Sequence, residues 1–192
     1  MSAVAEVSPK VTNQEVRVRP MRADDMDAVS ELFFEAGEDA LHNRFFTLSD
    51  RMVREHILEL ANPRGPRCLV AVADGHVVGI IEMAAMGIQV EEVALLVAAG
   101  LHHHGIGTRL LSAALADARL RGVKTFVAEV LATNPLMLEV FTDAGARFSR
   151  EEGDVSVTLP TRGPAAERFQ RSTPSRRYID TRNVTRSDEV PS

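Results

Sequence analysis

The sequence predicts an α/β (α+β) fold in which a mixed, mostly antiparallel sheet of about six to seven strands carries four helices. Three observations predict it. A strand and two amphipathic helices open the chain, an Asp74-Gly75 turn joins two apolar runs as a hairpin, and a helix joins two later strands. Since hairpin strands are antiparallel while a helical crossover permits parallel neighbours, the sheet should be mixed.

The first elements are read from alternation and helical spacing. Residues 15–19 alternate valine with charged residues, as a half-buried strand does, and Pro20 ends the run. Asp24 or Asp25 should cap a helix through about Ala36. A second helix should run from about Asp50 to Leu60. Its predicted core face is Met52, Val53, Ile57 and Leu60.

The later elements follow from apolar runs and helix signals. We predict strands at 68–73, 76–83, 91–97 and 125–131, and a final strand at 154–159 that pairs with a strand near Phe148. One helix should begin near Ile106 and stop at Gly122. Another should run from Pro135 to Ala144, because Asn134 is a good cap and proline suits the first helical position.

Composition limits the classes of protein and the compartment. The 192 residues are 45% hydrophobic, enough for one substantial core. The net charge of −5 argues against general nucleic-acid binding, and no apolar run is long enough for a membrane span. A single cysteine, Cys68, cannot form an internal disulfide. We therefore expect a cytoplasmic protein with no nucleic-acid or membrane partner, and a homodimer is left open.

The domain boundaries follow from shifts in composition. Residues 1–13 should form a flexible leader, 14–160 the folded domain, and 161–192 a disordered tail rich in Arg, Ser, Thr and Pro. The tail holds seven arginines against four acids, whereas the remainder of the chain is acidic. We therefore suggest that the tail folds back onto the acidic body.

The stretch from Glu91 to Arg121 has the form of an anion-binding site. An apolar strand leads through a glycine-containing loop into a helix, whose first N–H groups lack intrahelical partners and carry partial positive charge. Gly105 and Gly107 lack the Cβ atoms that would hold the oxygens of a diphosphate away from those amides. A plain tight turn would satisfy the same pattern.

His102-His103-His104-Gly105-Ile106-Gly107 resembles the Q/R-x-x-G-x-G/A motif of the GNAT superfamily of N-acetyltransferases. The likeness covers about residues 16–160. It implies that the loop binds the pyrophosphate of acetyl-CoA and that the preceding strand holds the pantetheine arm, in a gap between splayed parallel strands. The implied cofactor-binding residues are Leu95, Leu96, Val97, His102, His103, His104, Gly105, Ile106, Gly107, Thr108, Asn134 and Phe141. His102 departs from the motif, since a neutral imidazole donates one hydrogen bond without a permanent charge.

Two stretches are similar to bacterial protein lysine acetyltransferases of the Pat type: Arg44-Phe45-Phe46 and the Glu-Val-Ala-x-x-Val run that begins at Glu92. This likeness implies that Glu92 is the general base and that the acceptor is a protein lysine, with a small-molecule amine as the alternative. Glu91 should point to the opposite face of the strand, and Glu82 is a weaker candidate. The two adjacent acids could instead be solvated groups at a strand end.

The family also uses a tyrosine as general acid, in the pattern N-x-x-A-x-x-L-Y-x-x-x-G-F. Asn134, Phe141 and Gly145 align with that pattern, but Phe141 stands at the tyrosine position and has no proton to give. Either water protonates the leaving thiolate, or the domain is catalytically weak. It could also bind acyl-CoA and signal through a partner without turnover, as a regulatory module. Asn134 could contact the pantetheine amides or act only as a helix cap.

Two other residue types invite a chemical role. The adjacent histidines 102–104 suggest a metal site, but neighbouring side chains rarely aim at one ion, and we expect no metal. Cys68 is interpreted as a core residue, because no activating partner is evident in the sequence.

Overall fold

A computed structural model describes residues 14–36, 50–151, 154–173 and 178–179. The strands are β1 Gln14–Glu15, β2 Arg17–Pro20, β3 Arg67–Ala73, β4 His76–Gly87, β5 Val90–Val97, β6 Thr125–Leu131, β7 Arg147–Glu151, β8 Asp154–Pro160 and β9 Tyr178–Ile179. The helices are α1 Met26–Glu35, preceded by a 3-10 turn, then α2 Asp50–Leu60, α3 Ile106–Arg121, α4 Pro135–Ala144 and α5 Pro164–Ser172.

Seven strands form one mixed sheet, in the order β2-β3-β4-β5-β6-β8-β7. Strands β5 and β6 are parallel, as the crossover by α3 requires, and the other neighbours are antiparallel. β1 and β9 pair separately as a short antiparallel ribbon. The predicted mixed, mostly antiparallel sheet is therefore confirmed.

The sheet has an apolar core on each face. Helix α3 buries Leu110, Leu111 and Leu115 against one face, together with Phe126 from β6. Helices α1 and α2 bury Phe33, Val53 and Ile57 against the other, and Leu96 from β5 contributes to that cluster. Because successive strand residues point to opposite faces, β5 supplies side chains to both cores.

Local sequence signals placed most elements correctly. The bounds of α2, α4 and β6 are those predicted, and Asn134 caps α4 by accepting a hydrogen bond from the Met137 N–H at 3.2 Å. Met52 was wrong as a core residue, since 48% of it is exposed. The buried stripe of α2 is Val53, Ile57 and Leu60, and Met52 lies about 100° around the helix from Val53. The Arg44-Phe45-Phe46 cluster lies outside the described residues.

The expectation of disorder from residue 161 was wrong for the part of the tail that the structure describes. Helix α5 buries Ala166 and Phe169, which are three residues apart and so share one face. The Gln170 amide donates to the Ser112 carbonyl at 2.8 Å, and the Thr161 hydroxyl donates to the Val123 carbonyl at 2.7 Å. The folded body therefore extends at least to residue 173. Residues 1–13 and 180–192 lie outside the described part.

Candidate active site

The central feature of the sheet is the short parallel ladder between β5 and β6. It pairs Val90 with Thr125, Glu91 with Phe126 and Glu92 with Val127, and it ends there although both strands continue. The other edge of β5 remains paired to β4 as far as Val97. From Val93 onward, the backbone groups of β5 that face β6 have no strand partner among the described residues. The strands therefore part and leave a polar edge that an extended ligand can pair with.

A cleft of about 650 Å³ opens at this gap, between β5, the loop to α3, the first turn of α3, the end of β6 and α4. The structure brings together nearly all of the predicted site residues there. Those lining the cleft are Glu92, Leu95, Leu96, Val97, His102, His103, Gly105, Ile106, Gly107, Thr108, Asn134 and Phe141. Of the predicted set, all of which lies in the described residues, only His104 is not among the lining residues; it is half-buried.

The loop before α3 and the first turn of that helix line the cleft. Leu101 anchors the loop in the core at 1% exposure. Gly105 precedes the helix with a left-handed φ of 72°, a conformation that glycine adopts without strain, and it has no side chain with which to cap the first turn. The first intrahelical bond runs from the Arg109 N–H to the Gly105 carbonyl at 3.1 Å. The N–H groups of residues 106–108 are therefore the ones that an anion would satisfy.

Gly107 fixes the width of the cleft at this turn. A Cβ atom there would lie 3.7 Å from Leu95 Cδ2 and 3.7 Å from Val140 Cγ2, an ordinary contact distance. Internal packing thus tolerates a methyl group, but that group would occupy space between β5 and α4. The absent Cβ leaves room for a ligand close to the helix N-terminus, so these residues fit a bound diphosphate.

The two adjacent acids of β5 have opposite surroundings, as strand alternation predicts. Glu91 is buried, and Arg121 Nη2 donates to its Oε2 at 2.8 Å. The same guanidinium binds Asp117 at 2.7 Å, and Arg67 binds Asp117 at 2.9 Å. Hydrogen bonding to Glu91 raises the pKa of Arg121. Glu92, by contrast, is exposed in the cleft.

Glu82, the weaker candidate, lies outside the lining of the cleft. It is buried on β4, and its Oε2 is 2.8 Å from Nε2 of His56 on α2. The edge of the His56 ring packs against Phe33, with ring centroids 5.7 Å apart. Glu82 therefore ties α2 to the sheet.

The residues of α4 have structural roles as well as cleft positions. The Asn134 Oδ1 atom serves the helix cap, so its amide N–H groups are what it can present to a ligand. Phe141 is 1% exposed and belongs to the core behind the cleft wall. Its ring packs in the core and lacks the hydroxyl that a tyrosine would have at this position of the family pattern.

Sequence reasoning missed three carboxylates that line the cleft, Glu129, Glu139 and Asp143. A signal for Glu129 existed. Glu92 pairs with Val127, so Glu129, two residues farther along β6, shares the sheet face of Glu92. This position could be predicted only once the register between β5 and β6 was known, and the sequence alone does not give that register.

In the part of the chain that the structure describes, no group of three or more His, Cys, Asp or Glu side chains is placed to hold a metal ion. None of the described helices is long and apolar enough to cross a bilayer.

The profile of the acetyltransferase (GNAT) family matches residues 27–146, well over half of the chain. The chain belongs to this family. The match spans α1 through α4 and therefore includes the splayed strands and the glycine loop. The GNAT superfamily expected from the sequence is thus confirmed.

Solved structures place this GNAT domain among known relatives. The GNAT domain of PAT from S. lividans is 28% identical, with a TM-score of 0.65 over 76% of this chain and 90% of that one. YncA from Salmonella typhimurium, solved with its cofactor acetyl-CoA, is 19% identical with a TM-score of 0.62, over 79% and 96% of the two chains. PaiA N-acetyltransferase from Thermoplasma acidophilum, in complex with coenzyme A, is 17% identical with a TM-score of 0.61, over 76% and 98%. The last two show the shared fold.

Proposed function

We propose that this protein transfers the acetyl group of acetyl-CoA directly to an amine in a ternary complex, and that the amine is a protein lysine. The main observation behind this proposal is that β5 and β6 separate just past Glu92 and Val127. Glu92 lies five residues before the end of β5, or roughly 16 Å at about 3.3 Å per residue. An extended thioester along β5 would therefore set its phosphates against α3 and its acetyl group near Glu92.

Each chemical step has a residue or solvent to support it. The acceptor arrives as an ammonium and must lose a proton before its nitrogen lone pair can attack the thioester carbonyl. Glu92 is the proposed base for that proton. The new C–N bond forms, the C–S bond breaks, and the thiolate leaves. Because Phe141 cannot donate a proton, the thiolate takes one from water.

The charges in the cleft favour a cationic acceptor. Four acidic side chains line it, Glu92, Glu129, Glu139 and Asp143, and no Lys or Arg among the described residues does. An ammonium group is attracted to such a surface. The 28% identity to the GNAT domain of S. lividans PAT adds to the resemblance to Pat-type protein lysine acetyltransferases, and so supports a protein acceptor over a small amine.

Thiol release from acetyl-CoA tests this proposal when it is measured with a protein lysate and with a panel of small amines. We expect the lysate to accelerate release and to gain acetyl-lysine. Glu92→Gln should lower the rate by about 100-fold or more, as is typical for loss of a general base. Glu59→Gln is the matched control, because Glu59 is exposed on α2 and lines no part of the cleft.

Phe141 favours a second candidate, a non-catalytic module that binds acyl-CoA and signals through a partner. Coenzyme A binding without acceptor-stimulated thiol release, unchanged by Glu92→Gln, would support that module and contradict the enzyme. If only small amines stimulated thiol release, the proposed acetyl transfer would stand, but the proposal of a protein lysine acceptor would be wrong.

A further inference from the structure

The hairpin tip, residues 86–89 where β4 turns into β5, exposes apolar side chains to solvent. Met86 is 63% exposed and Ile88 is 93% exposed. Nothing in the packing of the described residues requires an apolar side chain at either position. Two such side chains within three residues, unlike a single scattered one, form a small patch that favours contact with a partner.

A β-bulge sets the direction of the first of these side chains. Ala85 pairs with Glu91 and Gly87 pairs with Val90, so Met86 is an extra residue with no opposite partner in β5. Bulges of this kind bend the strand and re-aim a side chain, and they are frequent beside active sites. The exposure of Met86 is therefore a consequence of the strand pairing itself.

The turn that presents Ile88 is fixed to the body of the protein. Ile88 and Gln89 are its two central residues, and Gln89 has a left-handed φ of 62°, which a residue other than glycine rarely adopts. The Gln89 carbonyl accepts hydrogen bonds from the N–H groups of Lys124 and Thr125, at 2.9 and 3.2 Å. These bonds hold the turn in place, so Ile88 is ordered before any partner binds, which lowers the entropic cost of contact.

The hairpin tip lies next to Glu92, on the side that the co-substrate leaves free. The unpaired edge of β5 begins at Val93, so an extended thioester along it ends near Glu92. Before that point β5 is paired on both edges, and it runs back to Val90 and the turn. Ile88 is four residues from Glu92, a reach of at most about 13 Å at about 3.3 Å per residue.

This arrangement fits a protein better than a small amine. Glu92 and Glu129 are both exposed and line the cleft, so the acids attract an ammonium group while the neighbouring tip is apolar. A small amine held at Glu92 would be contained in the cleft. A protein that presents a lysine to Glu92 would extend past the cleft and cover Ile88.

We propose that Met86 and Ile88 form the docking surface for the acceptor protein, where they contact apolar side chains beside its reactive lysine. This proposal rests on the proposed function, because it assumes that Glu92 receives a protein lysine. It makes the hairpin tip a determinant of which lysines are acetylated. Ile88, as the more exposed of the two, should contribute most of the contact.

Thiol release from acetyl-CoA, measured over a dilution series of a protein lysate, tests the proposal. Ile88→Ser should raise the lysate concentration that gives the half-maximal rate by about tenfold or more, the worth of burying one such side chain. The maximal rate, the calorimetric affinity for coenzyme A and the melting temperature should stay within experimental error of the wild type. Ile88→Leu, which keeps the apolar surface, should remain within about twofold of the wild-type half-maximal concentration.

A second variant and a matched control complete the test. Met86→Gln, close to methionine in size, should raise the half-maximal lysate concentration in the same direction as Ile88→Ser. Leu120→Ser should leave it unchanged, because Leu120 is 89% exposed on the last turn of α3, the helix that Glu91 rather than Glu92 contacts.

Two results would overturn the docking surface, and they differ in what else they affect. If the wild type acetylated the lysate and Ile88→Ser had the same half-maximal concentration, this inference would be wrong and the transferase would stand. If the lysate gave no thiol release with the wild type, the protein lysine acceptor and the docking surface would both be wrong.

Discussion

Glu92 and Val127 form the last pair of the parallel ladder between β5 and β6, and the sheet opens directly beyond them. Before this pair, β5 and β6 are hydrogen-bonded neighbours in the sheet; beyond it, they line the cleft. On one side, Glu91 is fixed in the interior by Arg121. On the other, β5 presents a backbone edge and the Glu92 carboxylate to the cleft.

Removing Arg121, the partner of Glu91, should lower the stability of the fold. Arg121→Met leaves a buried carboxylate without its cation, and we expect a loss of about 3 kcal/mol in the free energy of unfolding. Adding Glu91→Val should recover most of that loss, since the uncompensated charge is gone. Urea denaturation measures both. Arg51→Met breaks the exposed Arg51–Glu55 pair instead and should cost less than about 1 kcal/mol. Equal costs for the two arginine variants would contradict the role given to the Glu91 pair.

The Arg19–Asp25 pair should make stability depend on pH in the acid range. Hydrogen bonds from Arg19 at 2.6 and 2.7 Å lower the pKa of Asp25 below 3.8, and the Arg22 N–H adds another at 2.7 Å. Because the folded pKa is depressed, the stabilisation is complete above the unfolded value and is lost as the pH falls through the folded one. Asp25→Asn should therefore cost about 2 kcal/mol at pH 7 and progressively less below pH 3.8.

Urea titrations at several pH values measure that difference. Asp27→Asn, exposed on the first turn of α1, serves as the control and should cost less than about 1 kcal/mol at pH 7. A cost for Asp25→Asn that stayed constant from pH 7 to pH 3 would show that its charge has no part in stability.

Two glycines that end helices provide a matched test of the position of α5. Gly122 and Gly145 have left-handed φ values of 82° and 84° after α3 and α4. A Cβ at Gly122 would meet nothing within 4 Å, whereas one at Gly145 would overlap Ala165 Cβ in α5. Gly122→Ala should cost about 1 kcal/mol from backbone strain, and Gly145→Ala should cost clearly more.

The excess cost should depend on α5. In an Ala165→Gly background, Gly145→Ala should cost no more than Gly122→Ala does in the wild type. Thermal melts of the four variants give the comparison. If Gly122→Ala and Gly145→Ala lowered the melting temperature equally, α5 would not pack where the structure has it.

Local signals account for what the sequence predicted well. Asn134 and Pro135 start α4 and Gly145 ends it, so that helix was bounded to the residue by its own neighbours in the chain. The glycine loop was recognisable for the same reason. Its backbone geometry is set by Gly105 and by the start of α3.

Features that depend on distant residues were not accessible in this way. The end of the β5–β6 ladder is a property of two strands separated by α3, and the cleft position of Glu129 follows from their register. Helix α5 was not predicted because its sequence is mostly polar. The burial of Phe169 depends on packing against the rest of the fold, which the local sequence does not reveal. The exclusion of His104 from the cleft reflects the turn of the loop, in which His103 has a φ of 64°.

Coenzyme A binding by Gly107→Ala tests the central claim, that a diphosphate rests against the first turn of α3. Alanine fits the internal packing and favours a helix over glycine by about 0.5–1 kcal/mol, so this variant should melt at or above the wild-type temperature. Its methyl group should nevertheless push the phosphates away from the amides and weaken coenzyme A by about tenfold or more in calorimetry. Gly87→Ala, at a position with open space and outside the cleft, should bind normally. Wild-type affinity in a fully folded Gly107→Ala protein would contradict the account.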